Sequence, residues 1–379
     1  MIAVGLMSGT SLDGIDAALV RILPAGPTYD LELLEFRTVA YDSSIAAALR
    51  CILPPNAGTV AALAGLHSAI GRAFGGAARA VLGSHRIDYV ASHGQSVYHD
   101  GAQSITLQIG DAFVIREAIG ASVCYDFRSA DCAVGGHGAP LVPYVDRLLL
   151  QSSSEERIAL NIGGIANFTH LPTDGNLSAC DTGPGNMLID AFVRERTGGA
   201  MTFDRDGRLA AHGNVDKEVL AAMLADPYFA KPAPKSAGRE QFGSQFLAEY
   251  ELQLGALTTE DGAATLAALT ACSIADAVRS VSKPGAHIIV SGGGVHNREL
   301  LRRLEERLSG YRVEPSTAMG ISVDGKEALA FAVLGYETLR GRTANLTGAT
   351  GASRAVPLGA IAPFELAGLL AKVERECAG

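Results

Sequence analysis

The stretch Met-Ser-Gly-Thr-Ser-Leu-Asp-Gly-Ile-Asp at residues 7–16 joins two apolar runs, 2–6 and 15–22, rich in aliphatic and β-branched side chains. Such runs suit strands, and the two glycines, three hydroxyl residues and aspartate between them have turn composition. Strand, turn and strand make a β-hairpin whose tip carries exposed backbone N–H groups. A tip of this kind can cradle an anion without a helix dipole. It is not a Walker loop, because the GxxxxGK[ST] spacing is absent and no lysine follows. Taken alone, the stretch reads equally as an ordinary hairpin turn. The remainder of the chain decides between the two.

At 379 residues the chain exceeds the size of a single hydrophobic core, so two domains are expected. An apolar fraction of 48% is ample for both cores, and 44 glycines imply many tight turns. Lys and Arg total 31 against 40 Asp and Glu, and a net charge of −9 argues against a nucleic-acid partner. Cys51, Cys124, Cys132, Cys180, Cys272 and Cys377 form no CxxC and no zinc spacing. Buried free thiols in a reducing cytosol are the expectation. The first residues lack a signal pattern. The Ala-rich run 263–281 is interrupted by Asp276 and Arg279, so no membrane partner is expected and the reading is soluble and cytoplasmic.

Further along, 31–39 reads as a third strand, linked to the second by a turn at 24–30, and 59–82 as a helix loosened by Gly65, Gly71, Gly75 and Gly76. Short strands at 87–91, 104–109 and 123–125 each end in polar residues: Ser92-His93-Gly94-Gln95, Gly110-Asp111 and Asp126-Phe127-Arg128. Open α/β sheets place ligands just past strand ends. The segment 135–140, GGHGAP, reads as the crossover to a second domain. Strands at 157–162 and 165–171 around Gly163-Gly164 then repeat the opening device, which suggests an internal duplication. A strand at 177–180 runs into Asp181-Thr182-Gly183-Pro184-Gly185-Asn186, with a helix at 187–196. A strand at 287–290 meets Ser291-Gly292-Gly293-Gly294, with helices at 297–308, 328–339 and 364–376. Domains of 1–135 plus 361–379, and of 136–360, follow.

Three glycine signals in this order, at 9–14, 163–164 and 292–294, resemble the sugar kinase/actin/heat-shock-chaperone ATPase superfamily. The wording of the motifs goes further. MSGTSLDGID at 7–16, SHGQ at 92–95, QIGD at 108–111, DFR at 126–128, GGHGAPLVP at 135–143, LNIGGIAN at 160–167, DTGPGN at 181–186, SGGGVHN at 291–297 and DGKEALAFA at 324–332 resemble the anhydro-N-acetylmuramic acid kinase family over essentially the whole chain. The resemblance implies an α/β fold of two ribonuclease H-like, actin-like ATPase domains flanking a nucleotide cleft. It also implies ATP and Mg²⁺, a small-molecule substrate, and room for a homodimer. The implied reaction opens a 1,6-anhydro sugar with water and phosphorylates O6, within cell-wall recycling.

Phosphoryl transfer needs charge stabilisation and in-line positioning more than covalent help. Gly9, Thr10, Ser11, Leu12, Asp13, Gly14, Ile15 and Asp16 are accordingly assigned to the nucleotide. Gly163 and Gly164 form a facing lip, and Gly292, Gly293 and Asn297 lie on the adenosine side. Opening the acetal needs a base on the attacking water. Asp181, ending a strand beside a glycine turn, matches the aspartate the family uses. Asn186 is a better cap than Asp181 for the 187–196 helix. Glu327 resembles a family carboxylate that orients sugar and water, although a glutamate in a first helical turn is also a dipole partner. The superfamily's metal-holding aspartate is missing from the first strand, which ends Leu6-Met7-Ser8, so Asp13 or Asp16 substitutes and the metal ligands stay open.

His93 with Gln95 binds sugar hydroxyls or forms a loop pair. Arg128 meets the sugar's carboxylate or pairs with Asp131. Asn297 caps its helix, touches adenine, or does both. The run 235–240, KSAGRE, is a loop near the cleft or a solvated charge run. A dinucleotide oxidoreductase would need GxGxxG opening a helix, whereas 9–14 opens a strand. An ATP-binding sugar sensor or actin-like scaffold without chemistry is the other rival, and it has no use for Asp181 and Glu327.

Overall fold

Near-continuous burial along the first two strands yields a sheet covered on both faces. The computed structural model describes residues 1–379 apart from Thr10, Ser11, Asp13, Pro27, Pro54, Pro55, Ala57, Ala233, Pro234 and Gly379, and the side chains of Arg239, Glu240, Cys377 and Ala378 are likewise outside the description. In chain order the strands are β1 (Ile2–Ser8), β2 (Ile15–Ala25), β3 (Thr28–Val39), β4 (Tyr89–Asp100), β5 (Ile105–Ile109), β6 (Ser122–Tyr125), β7 (Arg157–Ile162), β8 (Ile165–Leu171), β9 (Ser178–Pro184), β10 (His287–Ser291), β11 (Arg312–Pro315) and β12 (Ala360–Ala362). They belong to two compact units, Met1–Leu149 with Gly325–Gly379, and Leu150–Asp324.

In the first unit β1 pairs antiparallel with β2 and parallel with β4; β2 pairs with β3, and β4 with β6. The order is β12-β6-β4-β1-β2-β3, with β5 folded back on β4. In the second unit the order is β11-β10-β7-β8-β9, with β7 antiparallel to β8 and parallel to β10. Each sheet is thus a three-stranded meander followed by two parallel strands laid on the far side of the first. That shared ribonuclease H-like order is the duplication that the two glycine hairpins predict, and the α/β fold class agrees with the sequence.

Ala3, Ala18, Val20, Tyr89 and Ala91 face the helix Lys326–Leu339, while Val4, Leu6, Leu19 and Val90 face the helix Val60–Leu82. Each large side chain buried this way contributes about 1.5–3 kcal/mol. Two of the four glycines of Val60–Leu82 serve packing rather than loosening the helix, Gly65 and Gly76 facing open space. A Cβ on Gly71 would lie 2.8 Å from the Asp111 carbonyl oxygen, and one on Gly75 2.8 Å from Ala118 Cβ. They let the helix Ala112–Ile119 approach closely. In the second unit Ile158, Leu160 and Ile162 pack on Ala271, Ile274 and Val278 of the helix Thr259–Val281. Among the described residues this is the one helix long and apolar enough to cross a membrane, and 72% of its most apolar window is buried in the fold.

Several expectations need correction. The link between β2 and β3 is tighter than 24–30, because Pro24, Ala25 and Thr28–Asp30 are already paired. The GGHGAP segment is not the crossover: it lies in the first unit, where Asp131, fully buried, accepts from Gly138 N–H (2.8 Å), Asn345 Nδ2 (2.7 Å) and Thr350 Oγ1 (2.7 Å). The chain changes unit at 149/150 and returns at 324/325, not at 135/136 and 360/361. The early return follows from the helix Lys326–Leu339, whose apolar face completes the first core. Leu369 and Val373 of the helix Leu366–Ala378 join that core too.

The approach of Lys326–Leu339 to β1 passes over Gly5, where an added Cβ would sit 1.8 Å from the Ala328 carbonyl oxygen. Backbone cannot yield as a side-chain tip does. Gly5→Ala should therefore destabilise the chain by about 3 kcal/mol or more, read as a lower denaturation midpoint in urea.

Candidate active site

Sequence alone puts Ser92-His93-Gly94-Gln95 beyond a strand end, but β4 runs through it. Gly94 has φ +74°, and a Cβ there would meet the Ile109 carbonyl oxygen at 2.8 Å. The β1–β4 register shifts at this point, so that Ser8 faces Gln95, as bulges do where they re-aim side chains. Gln95 is fully buried. Its Oε1 lies 2.8 Å from Ser8 Oγ and 3.1 Å from Tyr41 OH, and its Nε2 donates to Gly9 O at 3.2 Å and Ser96 O at 3.3 Å. Ser8 Oγ also donates to Gly14 O at 2.8 Å. Gln95, expected on the sugar or in a loop pair, holds the Gly9 end of the 9–14 turn directly and the Gly14 end through Ser8, with its amide hydrogen-bonding capacity directed inward.

Within the turn, Leu12 is buried at φ +60°, a conformation that side chains rarely adopt, and Ile15 is core. Only their backbone is left for a ligand. Gly14 approaches Val39 closely, since a Cβ would lie 2.8 Å from its carbonyl oxygen. Thr10, Ser11 and Asp13, assigned to the nucleotide from the sequence, lie outside the described residues. Asp16 follows on β2, half-buried, and accepts from Thr38 Oγ1 at 2.6 Å.

His93 is buried against the Phe331 ring, with centroids 4.7 Å apart. Arg128 Nε donates to His93 Nε2 at 3.0 Å, and His93 Nδ1 lies 2.8 Å from Gly94 O. A guanidinium can only donate, so Nε2 is the acceptor and Nδ1 carries the proton. Burial, then the Arg128 charge, pushes the imidazole well below its usual value, which keeps it neutral. Arg128 Nη1 donates to Gly138 O at 2.7 Å. No ion pair joins Arg128 to Asp131, whose oxygens are taken by the loop described above.

Glu327 sits half-buried in the first turn of Lys326–Leu339. Burial raises its carboxyl above the ordinary value, Asp16 adds to the rise, and Lys326 and Arg128 oppose it. Lys326, itself buried, pairs with buried Asp146 at 2.7 Å. The first unit therefore brings Asp16, His93, Arg128 and Glu327 into one electrostatic neighbourhood.

In the second unit, Asp181 lies inside β9 rather than at its end. A register shift between Ala166 and Asn167 sets Asp181 opposite Asn167. Its Oδ2 accepts from Ala237 N–H at 2.8 Å, its N–H donates to Lys235 O at 3.0 Å, and its carbonyl accepts from Tyr228 OH at 2.8 Å. Lys235 is not part of a solvated charge run. Its Nζ donates to Tyr228 O and Phe229 O, 3.1 and 3.3 Å away, and lies 4.5 Å from the Tyr228 ring centre.

The 163–164 tip is docked through its carbonyls: Gly163 O accepts from Asn186 N–H (2.8 Å), and Gly164 O from Gly185 N–H (2.9 Å) and Met187 N–H (3.2 Å). Asn186 makes no side-chain cap, because these carbonyls already satisfy the start of the helix Met187–Arg196. Gly292, at φ +87°, donates to Val323 O at 2.8 Å, and Gly293 opens the next turn. Asn297 caps Arg298–Arg307 through Leu300 N–H at 3.0 Å and is buried. Sequence reasoning missed Tyr41, Tyr228 and the Lys326–Asp146 pair. Only the last left a signal, in the adjacency of Lys326 to Glu327 at a helix start.

A model of the anhydro-N-acetylmuramic acid kinase family matches residues 1–364. The chain belongs to this family. It is 43% identical over 370 residues to the anhydro-N-acetylmuramic acid kinase of Streptomyces avermitilis, covering 96% of this chain and 94% of the relative. It is 44% identical over 369 residues to that of Xanthomonas axonopodis pv. citri, covering 95% and 97%. With that of Caldanaerobacter subterraneus the identity is 40% over 384 residues, covering 95% and 96%. Family membership makes the chain a phosphotransferase with a small-molecule acceptor, and a kinase of this kind uses ATP.

Two consequences follow from the first unit. Gln95→Leu strands the Gly9 carbonyl and two hydroxyls, and should cost about 2 kcal/mol or more, measured by urea unfolding. For Glu327, the native carboxyl holds its proton to higher pH than the unfolded one, so between about pH 4 and neutrality the native state binds more protons and stability falls as pH rises. Glu327→Gln removes that penalty. Its melting temperature should exceed the wild type at neutral pH and match it near pH 4.

Proposed function

We propose that the chain is an ATP-dependent kinase that opens 1,6-anhydro-N-acetylmuramic acid with water and phosphorylates O6, releasing N-acetylmuramic acid 6-phosphate and ADP. Asp181 carries the reading, as a carboxylate at a strand irregularity with one oxygen already held by a backbone N–H. In this mechanism Asp181 takes a proton from water as that water attacks C1. The C1–O6 bond breaks, and O6, now carrying the electron pair, accepts the γ-phosphoryl group. One base suffices because the leaving oxygen is the phosphoryl acceptor.

The turn 9–14 supplies backbone amides to the phosphates, with Gly163, Gly164, Gly292, Gly293 and Asn297 completing the nucleotide contacts. Glu327, with Arg128 and His93, orients sugar and water. Arg128 suits the lactyl carboxylate, and neutral His93 keeps the Arg128 side chain aimed. Mg²⁺, when bound, neutralises charge on the β- and γ-phosphates. Such an ion takes one or two carboxylates and otherwise phosphate and water oxygens. No cluster of three His, Cys, Asp or Glu exists among the described residues, and Asp16 fits that sparse requirement. The five cysteines whose state is described are free thiols, four buried as expected and Cys51 exposed instead, because it lies on the outer side of its helix; free thiols fit a reducing cytoplasm.

ADP release should depend on the anhydro sugar and be absent with open-ring N-acetylglucosamine. Asp181→Asn keeps shape but removes the base, and turnover should fall by roughly two to four orders of magnitude with ATP affinity near normal. A variant within tenfold of wild type would end the assignment. In oxygen-18 water the product should carry label at C1 and none in the bridge to phosphorus; label in that bridge overturns the coupled mechanism.

A further inference from the structure

We infer that residues 235–237 form a strap that positions the Asp181 carboxylate, and that Lys235 is its anchor. The inference rests on the reading of Asp181 as the base. β9 is the outer strand of its sheet, so among the described strands none pairs with Asp181 on its outer side. The strap replaces that strand: Lys235 O takes the Asp181 N–H at 3.0 Å, and two residues on, Ala237 N–H reaches Oδ2 at 2.8 Å. An aspartate side chain can rotate broadly about its last torsion, and a directed N–H restricts the plane of its carboxylate. The same N–H favours the ionised form, which a base must hold before water arrives.

The strap needs an anchor of its own, and Lys235 supplies it. A half-buried ammonium is costly unless its donors are used. Here Nζ meets the carbonyls of Tyr228 and Phe229 and the face of the Tyr228 ring. Tyr228 is core, wedged edge-on against Phe229 and Phe242 with centroids 5.9 and 5.0 Å away. Its hydroxyl donates to the Asp181 carbonyl at 2.8 Å. The aromatic cluster thus grips the strap through Lys235 and the strand through Tyr228. Gly183, at φ +142°, leaves the room: a Cβ there would meet Phe229 Cε1 at 2.8 Å. Among the described side chains, the titratable groups around Asp181 include Tyr228 and Cys180, with Lys235 beside Cys180 and Lys231 beyond over the Tyr228 ring. Lys235 is a positioning residue, acting through Ala237 and Asp181.

The test compares Lys235→Met, Lys235→Arg, Tyr228→Phe, Asp181→Asn and the Lys235→Met/Asp181→Asn double variant, using ADP release with the anhydro sugar. Lys235→Met should lower kcat about tenfold or more, leave KM for ATP unchanged, and move the acidic limb of kcat/KM up by about one pH unit. Lys235→Arg should recover part of both losses, and Tyr228→Phe should shift the limb in the same direction by less. The double variant should be no slower than Asp181→Asn, since both act on one group. Circular dichroism checks folding; if Lys235→Met is unfolded, the Tyr228→Phe limb decides. Wild-type kcat and an unmoved limb, with Asp181→Asn inactive, would overturn the strap alone. An active Asp181→Asn would overturn the base reading instead, and a double variant slower than Asp181→Asn would show that Lys235 acts elsewhere.

Discussion

Helix Lys326–Leu339 lies so close to β1 that only a glycine at position 5 allows it. Much of the first unit depends on that approach. It covers β1, β2, β4 and β6 on one face of the sheet, bringing Phe331 against His93 and Phe127. It sets the helix start, with Lys326 and Glu327, into the neighbourhood of Asp16 and Arg128. It also draws the chain back into the first unit some 35 residues earlier than the glycine-rich segments suggest. Close packing and site electrostatics therefore have one origin, because a buried helix start carries its charged residues into a low-dielectric setting where burial outweighs the helix dipole.

The two units share a strand order and use it differently. In the first, the glycine turn is held from below by side chains: Gln95, Ser8 and Tyr41 seize the carbonyls and hydroxyls at its base. In the second, the tip is held by backbone, its carbonyls taking the first amides of the following helix. A carbonyl committed to an inward donor forces its peptide to present the N–H on the opposite side. Duplication supplied the scaffold, and local hydrogen bonding made each copy specific.

Charge in the first unit is arranged as a chain of compromises. His93 stays neutral because it is buried and faces a guanidinium. Arg128 is pulled below its ordinary value by burial, and Glu327 acts against that pull. Glu327 is raised by burial and by Asp16 in turn. Lys326 opposes the rise at Glu327, whereas Asp146, paired with Lys326 at 2.7 Å, adds to it. Each group is tuned by neighbours drawn from a different strand or helix. Such tuning is characteristic of sites that bind charged ligands.

Much of this was legible in the residues. Apolar, β-branched runs identified ten of the twelve described strands, and the helices at 187–196 and 298–307 were bounded closely, since apolar runs and periodicity are local properties. Glycine hairpins signalled the duplication, and the motifs carried the family. What lay hidden was non-local. SHGQ and Asp181 sit inside strands because bulges set by pairing partners decide where a strand ends. Gln95 is structural because its partners, Ser8 and Tyr41, come from distant segments. The unit boundary was misjudged because flexibility of composition says nothing of Asp131, whose three donors lie up to 219 residues away. A sequence states which side chains are available, whereas burial and hydrogen-bond partners are properties of neighbours that only the folded chain brings together.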